Sequence, residues 1–452
     1  MRSLHCGDRD VFDRRIECLV RAVLSDTPCF HTLIAGLPAV YPTTALAAAE
    51  RLAERGQISA AMLAALRHSA REGLADTPTR SILPLPHPLD FEWRFTADSS
   101  RVLLDLASDL APAGGPILLF GTPGIALEAL SLPTEHPLMF LGEDNAVTRR
   151  LAAVNAAGGA PLQIFRCAEG LPSIRAAAVI LDPPWYMDFV RPMMAAAAAS
   201  IQTGGFLLAS LPPEGVRAGA TEDRRRVLRL ASRLGLELIA EPSLAVRYDT
   251  PFFEANALAA AGLRVIHPWR CGDLVIFRKR TELPRSVSTA SIRKARWSEV
   301  EIGRMRLFVR RDLPTGTGHH GLIPLVKGDV LPSVSRRDPR RRLASIWTTG
   351  NRLFASDNPE LVVEAALTLA GARLGSGLQS LFCSTISERH ALERIADTLR
   401  NMAATEAGEE RAGRPIMAAN GSEACRLRLP VSRSGFPITI SGSTISVAPQ
   451  NP

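Results

Sequence analysis

The chain has little tyrosine, almost no lysine and no paired cysteines. Three tyrosines and three lysines (Lys279, Lys294 and Lys327) occur in 452 residues, and aromatic residues make up only 5%. The remaining basic residues are arginines, and the net charge is +8. A basic chain can bind phosphate backbones, although a chain this rich in alanine and arginine owes part of its charge to overall composition. The seven cysteines (Cys6, Cys18, Cys29, Cys167, Cys271, Cys383 and Cys425) are odd in number and scattered, with no Cys-x-x-Cys pair. That pattern argues for reduced thiols in a cytoplasm and against a zinc or iron–sulfur site, so no metal is expected. The one close histidine pair, His319-His320, sits in a glycine-rich loop with no flanking ligand and reads as loop. No apolar run reaches 18 residues, which excludes a transmembrane helix, and Met1 to Asp10 lacks the apolar segment of a signal peptide. A soluble, cytoplasmic chain of two to three domains is expected.

Against this background one string stands out. Asp182-Pro183-Pro184-Trp185 closes the apolar run Ala176 to Leu181. A short apolar run ended by turn-forming residues predicts a buried parallel strand at its carboxyl end, where open α/β sheets bind ligands. Asp182 can accept a hydrogen bond from an exocyclic N–H and stabilise positive charge developing on that nitrogen. The prolines fix φ and remove two donors, leaving the Pro183 carbonyl to accept a second N–H. Trp185 offers a face for stacking. The plainer alternative is a turn with a core tryptophan.

Upstream, Pro116 to Phe120 predicts a strand, followed by Gly121-Thr122-Pro123-Gly124 and a helical start. Gly121 and Gly124 allow close backbone approach to a ligand. A second strand, Leu138 to Gly142, ends at Glu143-Asp144, where an acid commonly holds ribose hydroxyls. A third, Leu162 to Phe165, leads into Arg166-Cys167-Ala168. Alternating strands and helices predict βαβ units and a parallel sheet. Further strands are expected at 206–211, 235–240 and 273–277, with Gly204-Gly205 as a turn and helices through Ala195–Ala199 and Asp223–Leu234.

Residues 116–280 resemble a class I S-adenosylmethionine-dependent methyltransferase, and within that class the amino-methyltransferases with an Asp/Asn-Pro-Pro-aromatic motif, which act mostly on adenine N6. Asp-Pro-Pro-Trp is similar to the motif of the mRNA adenosine methyltransferases and their bacterial relatives, although there it precedes the glycine loop and here it comes after. The resemblance implies a Rossmann-like seven-stranded core and S-adenosylmethionine as cofactor. It implies cofactor contacts at Phe120, Gly121 and Gly124, a ribose-binding acid at Glu143 or Asp144 (Glu143 favoured), and adenine contacts near Cys167 and Ala168, where the family often has an acid. It implies catalysis at Asp182, Pro183, Pro184 and Trp185; Tyr186 beside them is a candidate substrate contact. The expected reaction is methylation of an exocyclic base amine in DNA or RNA. The alternatives are a catalytically weak binding or sensor protein, and an N-methyltransferase acting on a protein or small molecule.

The flanks divide the chain into residues 1–80, 81–282, 283–407 and 408–452. The first reads as helical, with Thr43 or Thr44 as a helix cap, and suits a winged helix-turn-helix or a docking module equally. The segment from His87 to Phe95 either lines the pocket or packs as an edge strand. Tyr248 to Glu254 lines the substrate pocket or plugs a turn. After 282 an α+β domain is expected, with a hairpin at 297–309 and helices from Asn358 and over 386–404. It is the candidate for substrate or partner binding. Five arginines crowd Ser335 to Arg342 near Trp347, and Arg340 and Arg341 are candidate phosphate contacts. The alternative is a solvated basic loop. The end reads as a flexible tail with a short strand at Ile438–Ile440.

Overall fold

The computed structural model describes residues 6–24, 28–72, 82–158, 162–240, 244–265, 268–282, 297–312, 321–371 and 386–412. The sequence-predicted tail strand at Ile438–Ile440 and the His319-His320 pair lie outside them. No helix among the described residues is long and apolar enough to cross a membrane.

Four helices come first: α1 (Cys6–Val23), α2 (Phe30–Gly36), α3 (Pro42–Glu54) and α4 (Ala60–Glu72). No strand lies among the described residues 6–72. Neither Thr43 nor Thr44 caps α3. Tyr41 is the N-cap and makes no side-chain cap bond, because Pro42 takes the first helical position, where its missing N–H costs nothing.

The central sheet carries the α/β fold. Its strands are β1 (Ile117–Phe120), β2 (Leu138–Gly142), β3 (Gln163–Arg166), β4 (Ala176–Leu181), β5 (Ile201–Leu211), β6 (Leu236–Ala240), β7 (Ala245–Arg247) and β8 (Cys271–Lys279). The order is β3-β2-β1-β4-β5-β8-β6, with the short β7 also on β8. β1 to β5 pair in parallel, and β8 is antiparallel to β5, β6 and β7. With β7 set aside this is the expected Rossmann-like core of seven strands. Its helices are α5 (Ala97–Leu110), α6 (Pro123–Ala129), α7 (Ala146–Gly158), α8 (Met187–Ser200), α9 (Ala220–Arg233) and α10 (Phe252–Ala260).

β4 is buried along its whole length because both sheet faces are covered. Val179 and Leu181 pack toward α8 and α9, while Ala178 and Ile180 pack toward α5, α6 and α7. The alternation follows from the two-residue side-chain period of a strand. β5 starts earlier than the sequence predicts. Gly204-Gly205 is an irregularity inside the strand, not a turn before it. Gly204 has φ +87°, and a Cβ on Gly205 would lie 2.6 Å from the Ala177 carbonyl, so glycines let the strand bulge where β4 passes.

The C-terminal part is α+β. Strands β9 (Trp297–Ile302), β10 (Met305–Arg310), β11 (Ile323–Pro324), β12 (Ile346–Thr348) and β13 (Leu353–Ala355) form a sheet ordered β11-β13-β12-β10-β9. Helices α11 (Pro359–Leu369) and α12 (Ile386–Ala412) cover it. Asn358 caps α11, accepting from the Leu361 amide at 3.1 Å. The expected boundary at 407 falls inside α12, because its last turns are tied down. Glu406 accepts from Thr348, Glu409 pairs with Arg352, and Asn256 donates to Glu409 at 3.1 Å.

Residues 84–95 thread between these parts. His87 stacks on Phe308 with centroids 4.1 Å apart. Arg306, buried in β10, pairs with Asp90 and with Glu299 and donates to the Leu85 carbonyl at 3.0 Å. On the other side the N-terminal helices bury Leu258, Leu263 and Trp269 of the central part.

Candidate active site

β4 ends where its ladder must stop. Pro183 and Pro184 have no N–H, the Tyr186 amide turns back to the Pro184 carbonyl, and Tyr186 caps α8. Asp182 therefore sits at the carboxyl end of the strand, next to the end of β1. Among the described residues no hydrogen bond reaches the Pro183 carbonyl.

Tyr248 donates its hydroxyl to Asp182 Oδ1 at 2.7 Å, and its oxygen lies 2.6 Å from Ser210 Oγ. Because Tyr248 spends its proton on Asp182, Ser210 is the donor to Tyr248. The Tyr248 ring is buried, stacked on Phe95 at 4.5 Å and edge-on to Trp185 at 5.8 Å. Desolvation pushes the Asp182 carboxyl up to about 8, with the Tyr248 bond pulling down and the Glu92 charge pushing up. Gly272 lies against this relay. A Cβ there would meet Ser210 Oγ at 2.1 Å, Tyr248 Oη at 3.1 Å and Trp185 at 3.3 Å.

Arg270 closes the floor. Its guanidinium lies 4.8 Å from the Trp93 ring, 4.7 Å from Trp269 and 5.8 Å from Trp185, three of the chain's five tryptophans. Buried Glu254 pairs with Arg270 and accepts from Trp93 Nε1 at 2.9 Å. Arg270 and the three tryptophans, with Asp182 to Tyr186 and Tyr248, line a cavity of about 720 Å³, within the about 300–1,000 Å³ range of small-ligand sites. α1 and α3 supply another wall, including Phe12, Arg51 and the α3 N-cap Tyr41, and residues of the 332–337 segment of the C-terminal part supply a third.

The candidate cofactor residues lie along neighbouring strand ends. Phe120 is buried, and Gly121 takes φ +66° while its amide donates to the Leu141 carbonyl of β2 at 2.9 Å. Thr122 Oγ1 is buried in this turn without a partner. A Cβ on Gly124 would lie 3.4 Å from Arg94, whose side chain crosses the turn. Glu143 is exposed and comes directly after β2; Asp144, also exposed, is 3.7 Å from both Arg149 and Arg166. Cys167 and Ala168 are exposed in a 3-10 turn after β3.

Tyr186 and Tyr248 line the cavity, whereas Arg340 and Arg341 do not. Arg340 forks onto Asp338, with its Nη2 at 2.6 Å, and Arg341 stacks 4.4 Å from buried Trp347 and donates to the Val334 and Pro88 carbonyls. The basic run is thus partly internal structure. Its neighbour Arg336 pairs with Asp188 and lies 5.0–5.7 Å from the rings of Phe189, Tyr186 and Phe91. Sequence reasoning missed Arg270 and the α1–α3 wall. The Trp269-Arg270 pair in a chain with five tryptophans was the available signal.

No protein-family model and no curated protein matches this sequence. Among solved structures, the branched-chain polyamine synthase of Thermus thermophilus, in complex with N4-aminopropylspermidine and 5'-methylthioadenosine, is similar at 17% identity over 62% of this chain and 93% of that chain, with a TM-score of 0.43. A methyltransferase from Pyrococcus furiosus shares 14% identity over 41% of this chain and 84% of that one, with a TM-score of 0.30. The N-methyltransferase NodS from Bradyrhizobium japonicum, in complex with S-adenosyl-L-homocysteine, shares 10% over 41% and 87%, with a TM-score of 0.29. Folds of this kind host many chemistries, so function has to rest on the site's own residues.

Proposed function

We propose that the protein transfers a methyl group from S-adenosylmethionine to an exocyclic amine of a nucleic-acid base, adenine N6 above all. The observation that carries this reading is the placement of Asp182. It combines a carboxyl at the end of β4, an unengaged carbonyl at Pro183, a donor from Tyr248 and aromatic rings around them.

The glycine turn fits the cofactor through the orphaned Thr122 hydroxyl, the positive φ of Gly121 and an acid, Glu143, one strand away. When bound, S-adenosylmethionine supplies an electrophilic methyl group: the N–C bond forms as the S–CH3 bond breaks, leaving a neutral thioether. Asp182, as carboxylate, accepts one amine N–H and offsets the positive charge growing on nitrogen. The Pro183 carbonyl would accept the second N–H and so help orient the amine. The nitrogen then sheds one proton, which Asp182 is placed to take. A carboxyl held near 8 is ionised most easily once a positive group enters the site. Trp185, Tyr186 and Trp93 line the cavity and supply aromatic surface for the base, with stacking worth about 1–3 kcal/mol. A base in a duplex has to be flipped out to reach this depth.

The test is methyl-labelled S-adenosylmethionine given to wild type and Asp182→Ala with DNA and RNA together, then digestion to nucleosides. Label in N6-methyladenine that vanishes in the variant, while the variant still binds cofactor, is the expected result and names the polymer. Absence of label from both polymers, with cofactor bound, overturns the reading. It points instead to a protein or small-molecule amine, or to a binding protein without turnover.

A further inference from the structure

The cavity has a charge gradient that the methyl-transfer chemistry does not use. Five arginines line it (Arg9, Arg51, Arg217, Arg270 and Arg337) against two carboxylates, Asp13 and Asp182. Three of the five are neutralised where they stand. Arg51 bonds Glu17 at 2.6 Å, Arg217 bonds Asp223 at 2.7 Å, and Arg270 pairs with Glu254. Arg9 of α1 and Arg337 of the C-terminal loop are different. Both are exposed, and among the described residues neither guanidinium has a carboxylate or hydrogen-bond partner. The floor is therefore aromatic and closed, and two unpaired guanidiniums remain at its exposed edge, one from each flanking part of the chain.

We infer that the cavity takes one whole phosphate-bearing nucleotide unit, base inward against Asp182 and phosphate outward between Arg9 and Arg337. The inference rests on the proposed function for the base end and on independent residues for the phosphate end. Guanidiniums are suited to phosphate by their planar, multidentate donors. A site kept open to water at that end holds the phosphate without having to desolvate it fully. The same lining disfavours a polycationic substrate, which would meet an excess of positive charge. This division of labour also gives the flanking parts a role: they complete the substrate site, so neither works as a detached tail or wing.

The chemistry fits a free nucleotide or one unit of a strand, and one titration separates them. Quenching of Trp93, Trp185 and Trp269, which all line the cavity, is monitored on adding adenosine, AMP, a short adenine-containing oligonucleotide or spermidine. The proteins are full-length wild type and the double variant Arg9→Ser, Arg337→Ser. AMP is expected to bind about tenfold or more tightly than adenosine and to weaken as salt rises. In the double variant AMP falls to the adenosine level while adenosine is unchanged. An oligonucleotide tighter than AMP makes the occupant a strand, and equality makes it a free nucleotide. Equal binding of AMP and adenosine by wild type, an unchanged double variant, or quenching by spermidine but not AMP overturns the inference. Failure of adenine methylation with the AMP preference intact removes only the proposed reaction.

Discussion

The hydroxyl of Tyr248 donates to the carboxyl of Asp182 at 2.7 Å, joining the end of β7 to the end of β4. That bond sets how readily the carboxyl ionises in a desolvated place. Tyr248→Phe removes a donor that favours the carboxylate, so the Asp182 midpoint moves above its starting point near 8. A hydrogen bond to a charged group is worth about 1.5–3 kcal/mol, or about one to two pH units. The rising limb of a rate–pH profile should shift alkaline by that amount, while a purely structural tyrosine would lower the rate at every pH equally.

Asp182 also carries a stability signature. Its folded midpoint near 8 lies above the ordinary aspartate value of 3.8. A raised midpoint favours the native state below about pH 4 and loses that contribution as pH climbs toward 8. Asp182→Asn cannot ionise, so the variant should gain thermal stability relative to wild type progressively between those limits. Melting temperatures of both proteins across that window check this, and parallel curves would refute the desolvated-carboxyl account.

Gly272→Ala is expected to cut activity by at least about tenfold, since its Cβ would collide with Ser210 Oγ at 2.1 Å and press on Tyr248. Combining it with Ser210→Ala removes the collision. The double variant should recover melting temperature over Gly272→Ala alone, a coupling expected only of residues in contact.

Arg306 is buried in β10 and bridges Asp90 and Glu299. Its removal leaves two carboxylates facing an apolar junction. Arg306→Met should cost about 3–5 kcal/mol, the usual cost of breaking a buried pair, as read from urea or thermal unfolding. Because the arginine ties residues 85–90 to the C-terminal sheet, limited proteolysis of that segment should quicken in parallel.

His87 is buried against Phe308 and Trp347, with Arg306 and Arg341 near. Desolvation, reinforced by those guanidiniums, holds its imidazole well below 6.5. A lowered histidine contributes stability above its unfolded value and loses it as pH falls below about 6.5. His87→Phe should flatten that acid-side loss in melting temperature between wild type and variant.

The strands carrying the motif and the glycine turn were legible because a buried parallel strand writes itself as a continuous apolar run, and Ala176 to Leu181 and Ile117 to Phe120 are such runs. β7 was not legible. Its three residues form only because β8 offers them an antiparallel edge. The roles of Arg340 and Arg341 were not legible either, since arginines bonded to Asp338 or laid on Trp347 read in sequence just like arginines facing solvent.

The α/β class, the place of Asp182 at a strand end and the aromatic residues Trp185 and Tyr186 beside it are all written in the order of the amino acids. Those are local matters, decided by apolar period, proline geometry and residue type over a few positions. It took the packed chain to bring Tyr248, Ser210 and Gly272 to Asp182, to gather three tryptophans around Arg270, and to make α1, α3 and residues 332–337 wall the same cavity. Such contacts join residues tens to hundreds of positions apart. They are set by which faces can be buried against each other, and that is a property of the packed whole.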